Sequence, residues 1–262
     1  MVGDVFGDPG LDACRQFIPV IKARHNINFV IVNGENSAKD GRGLSEQSVN
    51  EMLSFGTDVI TTGNHVWRHE KFLTYYLNNQ SKILKPINFP KETMGKGYGI
   101  FEKDGVKIGV VNAMGRVFFK ELLACPFREL ESIMLYLKDK VDAIIVDFHA
   151  EATSEKQALG FFLDGKATCV YGTHTHVQTA DNKILPKGTA YLTDLGFCGA
   201  LFSCIGVEKN TVINQYLSQM PARYKPETQR PYVFSGAVLK LEIDTEAKTT
   251  TVVDWLRVYE TF

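Results

Sequence analysis

The stretch Cys169-Val170-Tyr171-Gly172-Thr173-His174-Thr175-His176 decides how the rest of the chain is read. Cys169 to Tyr171 is a short apolar run of the kind that forms a buried strand, and the glycine and threonines after it mark a turn. A loop that leaves a strand end can aim both imidazoles into one cleft. The same arrangement recurs along the chain. Asp4 follows Met1-Val2-Gly3, and Gly34-Glu35-Asn36 follows Phe29 to Asn33. Gly63-Asn64-His65 follows Val59 to Thr62, and His149 follows Ala143 to Phe148. Ligands in an open α/β sheet gather beyond the carboxyl ends of its strands, so these groups point to one edge. A single histidine there would be an ordinary hydrogen-bonded residue, and Gly-Glu-Asn alone an ordinary turn. Together they supply the histidine, carboxylate and amide donors of a metal centre.

Working outward, Phe29 to Val32, Val59 to Thr61 and Ala143 to Val146 read as strands buried on both faces. Helical spacing runs from Ser45 to Phe55 with Ser45 as N-cap, and from Ser154 to Leu163. Leu11 to His25 is a third helix, with Asp8 as its cap and Pro9 in its first turn. Asp104-Gly105 joins Gly99–Lys103 to Val106–Val111 as a hairpin, and Tyr232–Ile243 and Thr249–Val258 form another. Parallel and antiparallel strands together imply mixed sheets in an α/β core. No linker or repeat interrupts residues 1–262, so a single domain is expected, with 196–231 a candidate lid or oligomer contact.

The 262 residues are 44% hydrophobic and 23% charged, with a net charge of -1. No bulk positive field draws in nucleic acid, and DNA is not an expected partner. Cys14, Cys125, Cys169, Cys198 and Cys204 are odd in number and lack Cys-x-x-Cys spacing. That argues against both a disulfide framework and a thiolate zinc site. No apolar stretch is long enough to span a membrane and no signal peptide opens the chain, so a reducing cytoplasm is the expected location.

In their order, Gly3-Asp4, Gly34-Glu35-Asn36, Gly63-Asn64-His65, His149 and Gly172-Thr173-His174-Thr175-His176 resemble the motifs of the calcineurin-like metallophosphoesterases. Asn33-Gly34-Glu35-Asn36, Asp147 to Glu155 and Thr175 to Asn182 are similar to the hallmarks of the YmdB-type bacterial phosphodiesterases. The resemblance covers nearly the whole chain. It implies a four-layer α-β-β-α sandwich of two mixed sheets flanked by helices. It also departs from the wider superfamily. Phe6 stands where a histidine is usual, and Glu35 and Asn36 stand where an aspartate is usual. Both departures fit the YmdB-like branch and a variant metal centre. Only Met1-Val2-Gly3 precede Asp4, so either the true start lies upstream or the first strand is stunted, which would leave its neighbours with unpaired backbone groups.

Carried over by motif, the resemblance implies that Asp4, Glu35, Asn36 and His176 hold one divalent ion. Asn64, His149 and His174 hold a second, and Glu35 bridges the two. Mixed nitrogen and oxygen ligands suit manganese, iron or zinc. The implied reaction is hydrolysis of 3',5'- or 2',3'-cyclic nucleotides by a metal-bridging hydroxide, with His65 as general acid. A nuclease or phosphomonoesterase with the same centre is the alternative within this class. A metal-bearing nucleotide- or RNA-responsive regulator without turnover is the alternative outside it. Assembly into a homo-oligomer is expected from the family. His69, in a helix beginning near Arg68, and His25 are read as structural. Lys39, Arg42 and Arg116 are set aside as solvated.

Overall fold

A computed structural model describes residues 1–262. The chain runs β1 (Asp4–Val5), α1 (Gly7–His25), β2 (Ile31–Asn33), α2 (Glu46–Ser54), β3 (Val59–Thr61), α3 (Phe72–Asn79) and β4 (Ile83–Leu84). It continues through β5 (Tyr98–Lys103), β6 (Val106–Met114), α4 (Pro126–Leu137), β7 (Ala143–His149), α5 (Thr153–Leu163) and β8 (Cys169–Thr173). The remainder is β9 (Lys183–Ile184), β10 (Ala190–Leu192), β11 (Phe197–Ala200), α6 (Lys209–Ser218), β12 (Tyr232–Asp244) and β13 (Thr249–Thr261).

One mixed sheet has the order β5-β6-β7-β8-β10-β9. The other is assembled from β2-β3-β4 and β1-β11-β12-β13, joined where Val2 bridges Val32 on one side and Gly236 on the other. The three residues before Asp4 therefore lie inside a sheet. Val2 N donates to Ile31 O (2.9 Å) and Asn33 N to Val2 O (3.2 Å), while Gly3 N donates to Ser235 O (3.0 Å) and Ala237 N to Met1 O (2.8 Å). The flanking strands find their backbone partners despite the shortness of this run.

Three apolar clusters give the four layers. Leu11, Phe17 and Ile18 of α1 and Val49 and Met52 of α2 pack on Val32, Ile60 and Phe234 of the first sheet. Leu130, Ile133 and Met134 of α4 and Leu159 of α5 pack on Val111, Val146 and Val170 of the second. Between the sheets lie Ile31, Val59, Ile145, Cys169, Tyr171 and Trp255. The period of two along each strand does this sorting. Ile144, Val146 and Phe148 face the helices, whereas Ile145 faces the opposite sheet. The expected sandwich of two mixed sheets flanked by helices is the fold observed.

Local signals were largely sound. Ser45 caps α2, its hydroxyl accepting from Ser48 N while Ser48 reciprocates. Asp104 and Gly105 have φ of 53° and 80°, the left-handed pair that a two-residue hairpin turn demands. Two details differ. Helix α1 begins at Gly7, because the Phe6 carbonyl already accepts from Gly10 N (3.1 Å). Asp8 thus lies inside the first turn, where it complements the helix dipole without capping. Helix α3 begins at Phe72, not near Arg68. His69 precedes it, with Nε2 at 2.8 Å from the Arg42 carbonyl. Within 196–231, β11 belongs to the sheet, pairing with β1 and β12, while no residue of α6 is buried.

Candidate metal centre

Toward their carboxyl ends the strands change chemistry on their inner faces. Ile31 is followed by Asn33, Val59 by Thr61, Ile145 by Asp147 and then His149, and Tyr171 by Thr173. Asn33, Thr61, Asp147, His149 and Thr173 are all fully buried. The Asp147 carboxylate accepts from Asn33 Nδ2 (3.1 Å) and Thr173 Oγ1 (2.8 Å), and also from the Thr61 hydroxyl. This polar layer ties one sheet to the other and forms the floor of a site above it.

Around that floor gather the residues picked out by the strand-end rule. Glu35 Oε1 lies 3.2 Å from His149 Nε2 and 3.1 Å from His65 Nδ1. His149 Nε2 also lies 3.1 Å from His174 Nδ1 and 3.3 Å from Asn64 Oδ1. Ligand atoms of Glu35, His149 and His174 fall within 4.8 Å of one another. A second set adjoins this one. Asp4 Oδ1 is 3.8 Å from both His176 Nε2 and His149 Nδ1, and Asn36 Nδ2 is 3.1 Å from His176 Nε2. The Asn36 oxygen is turned to His65 Nδ1 at 3.0 Å. A flip of that amide exchanges its oxygen and nitrogen and gives the orientation ligation requires. His65 therefore contacts Glu35 and Asn36, not the Asn64 beside it in sequence. Gly63 is obligatory here, since a Cβ on it would stand 2.0 Å from Glu35 Oε2 and 2.3 Å from His149 Cδ2.

The outer nitrogens of the three imidazoles identify the inner ones. Thr173 Oγ1 spends its single hydrogen on Asp147, so at 3.0 Å it accepts from His149 Nδ1. His176 Nδ1 lies 2.9 Å from the Ile205 carbonyl, which only accepts. His174 Nε2 lies 2.9 Å from Glu151 Oε2. Each ring is held as a donor outward, leaving a lone pair inward. The interior is then almost entirely acceptors: three imidazole lone pairs, those of His149 and His174 facing each other, two carboxylates and the Asn64 oxygen. Asp4 Oδ1 and Glu35 Oε1 are buried without a hydrogen bond. Such a set repels itself unless a cation or proton lies among its members, so the residues present fit divalent ions.

The titration of these groups has the same origin. Burial pushes Asp4 up to about 8. Burial opposes the His149 imidazolium, but Glu35, Asp4 and Asp147 outweigh it and raise the group to about 9. Burial also works against Glu35, and the His149 and His65 rings overcome it and hold the carboxyl well below its usual range. Burial, with His149 adding to it, lowers His174 to about 3. A proton on His149 and a metal ion compete for one lone pair.

Several supporting residues escaped the sequence reading. Asp194 accepts from Thr175 N (3.2 Å), Thr175 Oγ1 (2.7 Å) and Gly196 N (2.8 Å), and pairs with the buried Lys156 at 2.6 Å. It pins a loop in which His174 and His176 both take positive φ, 95° and 61°, a strain typical of functional loops. Asp194 follows Ala190 to Leu192, the same strand-then-polar signal that flagged the ligands. Phe6 presents its ring edge-on to His176 at 5.7 Å, and Phe197 stacks on the same imidazole at 5.5 Å. An apolar wall thus fills the place of the superfamily's usual histidine.

Comparison with known proteins identifies the family. The family described as "YmdB-like protein" matches residues 1–253. The 2',3'-cyclic-nucleotide 2'-phosphodiesterase of Bacillus subtilis is 39% identical over 253 residues, 97% of this chain and 94% of that protein. A crystal structure of a novel phosphatase from Mycoplasma pneumoniae superposes with a TM-score of 0.90 at 32% identity, over 99% of this chain and 92% of the other. A candidate 5'-nucleotidase from Staphylococcus aureus shares the fold at a TM-score of 0.59 and 16% identity, over 94% of this chain and 48% of its own.

Proposed function

The chain belongs to the YmdB-like protein family and is a phosphoric ester hydrolase, and from that premise we propose that it hydrolyses cyclic nucleotides, 2',3'- or 3',5'-, at a centre of two divalent ions. Asp4, Glu35, Asn36 and His176 would hold one ion and Asn64, His149 and His174 the other, with Glu35 shared. Manganese, iron and zinc all suit these donors. When bound, such ions lower the pKa of water and offset charge on the phosphoryl oxygens.

The chain's own residues do the rest. Two carboxylates against two divalent ions leave a formal positive surplus, which favours an anionic diester. His65 turns Nδ1 toward the Asn36 amide at 3.0 Å and Glu35 Oε1 at 3.1 Å, so its Nε2 is the nitrogen available for proton transfer. In hydrolysis water gives up a proton to solvent as its oxygen adds to phosphorus, the P–O ester bond breaks, the departing oxygen takes a proton from His65, and His65 regains one from solvent. The observation that carries the proposal is the convergence of ligand atoms of Glu35, His149 and His174 within 4.8 Å of one another.

The test compares turnover of 2',3'- and 3',5'-cyclic nucleotides and bis(p-nitrophenyl) phosphate with that of p-nitrophenyl phosphate, alongside elemental analysis of the purified protein. Preference for the monoester would overturn the reading. No helix is long and apolar enough to cross a membrane, and the cytoplasm is the proposed location. A homo-oligomer completes the proposal. Its motivation is α6, which exposes Tyr216 and Leu217 at 74% and 79%, and its test is sedimentation.

A further inference from the structure

A cleft of about 430 Å³ adjoins the centre. Asn64, Glu151 and His174 line it from the site, and Phe118, Phe119 and Lys120 line it from the loop between β6 and α4. That loop is tied down at both ends. Gly115 N donates to His149 O (3.0 Å) and Ala124 N to Asn88 O (2.9 Å). The Glu155 carboxylate accepts from Arg116 N (3.0 Å) and Val117 N (3.3 Å). Phe119 packs its ring 4.8 Å from that of His174.

Phe118 is different. Its side of the cleft is open, with 84% of the residue exposed, and its φ of 67° is left-handed. A large apolar ring in water and a strained non-glycine backbone are each unfavourable. Here both fall on one residue, in a loop anchored to the strand that carries His149. The ring lines the cleft beside two proposed ligands, Asn64 and His174.

We propose that Phe118 is the platform on which the base of a bound nucleotide stacks, so that the cleft selects phosphodiesters that carry a base. This rests on the cyclic-nucleotide reading and adds the element that recognises the nucleoside. Stacking tolerates any base, because every base offers a π-face. Phe118 thus favours nucleotides as a class, with no hydrogen-bond readout of its own.

The experiment uses the metal-loaded protein and two substrates, adenosine 2',3'-cyclic phosphate and the base-free cyclic phosphate of 1-O-methylribose. Calorimetry with adenosine monophosphate and with ribose 5-phosphate measures binding apart from turnover. Phe118→Gly removes the ring and accepts the positive φ, so the loop keeps its path. It is expected to raise KM for the nucleotide and weaken adenosine monophosphate binding by roughly ten-fold, as loss of one stack does. The kcat, the base-free substrate and ribose 5-phosphate binding stay unchanged, and Phe118→Trp retains the nucleotide preference. Equal losses on both substrates would overturn the stack. So would an unaltered preference, or a change in sedimenting mass with the preference intact, which would assign the ring to a subunit contact. If the wild type hydrolyses the nucleotide and Phe118→Gly matches it, only the stack falls. If the wild type hydrolyses neither substrate and is equally inactive on adenosine 3',5'-cyclic phosphate, the cyclic-nucleotide reading falls and this one with it.

Discussion

The layer between the two sheets has two ends built on the same strands and the same period of two, yet they behave as different materials. At one end Ile31, Val59, Ile145 and Cys169 meet in a buried apolar cluster. One or two steps further along, Asn33, Thr61, Asp147 and Thr173 replace them and join the sheets by hydrogen bonds. Another step gives Glu35 and His149. The apolar end stabilises by removing surface from water and tolerates any shape that fits. The polar end requires each donor to find its acceptor, and so fixes direction as well as proximity. A single run such as Ile145-Val146-Asp147-Phe148-His149 thus passes from core to floor to proposed ligand without leaving the strand.

Glu35→Ala tests the contrast most severely. It removes one of only two carboxylates in the centre and leaves the His149 and His174 lone pairs facing each other. Loss of bound metal by elemental analysis and of turnover to background are the expected results, and full activity would end the bridging assignment. His65→Ala comes next. It is expected to keep its metal while kcat falls about 10²- to 10⁴-fold, the usual contribution of a general acid.

Asp147→Ala acts on the floor. It strands three buried donors, each loss costing about 1–3 kcal/mol, and releases the Thr173 hydroxyl that orients His149. Metal affinity is expected to drop about 10- to 100-fold, as when a residue supporting a ligand is lost. Denaturant unfolding and metal titration would show both effects together. Ile145→Ala, two residues earlier on the same face, sharpens the comparison. A cavity there is expected to cost about 2–5 kcal/mol of stability, with turnover per folded molecule and metal content unchanged. If Ile145→Ala altered metal affinity as Asp147→Ala does, the two ends would not be separable.

The same contrast explains what could be read from the sequence. The fold was legible because strand and helix faces differ in period, and because turns such as Asp104-Gly105 allow few other structures. The proposed ligands were legible because each follows a strand and carries a side chain with little reason to be buried. What escaped were residues whose role is a contact. Lys156 is one lysine in a helix until Asp194 is seen against it. The β11 segment Phe197-Cys198-Gly199-Ala200 is too short and too rich in small residues to show a period, yet β1 and β12 pair on either side of it. Phe118 gives no signal in the sequence, and only its exposure and backbone mark it out.

The Asp194 carboxylate has a consequence for anyone moving this centre elsewhere. It grips the Thr175 backbone and hydroxyl, fastens Gly196, and is itself held by Lys156 from the helix before β8. The two histidines that look like a portable peptide are therefore only half of a clamp whose jaws come from distant parts of the chain. Transplanting Gly172 to His176 into another α/β scaffold would carry over the rings without their aim. A designer would have to import the aspartate and its lysine as well.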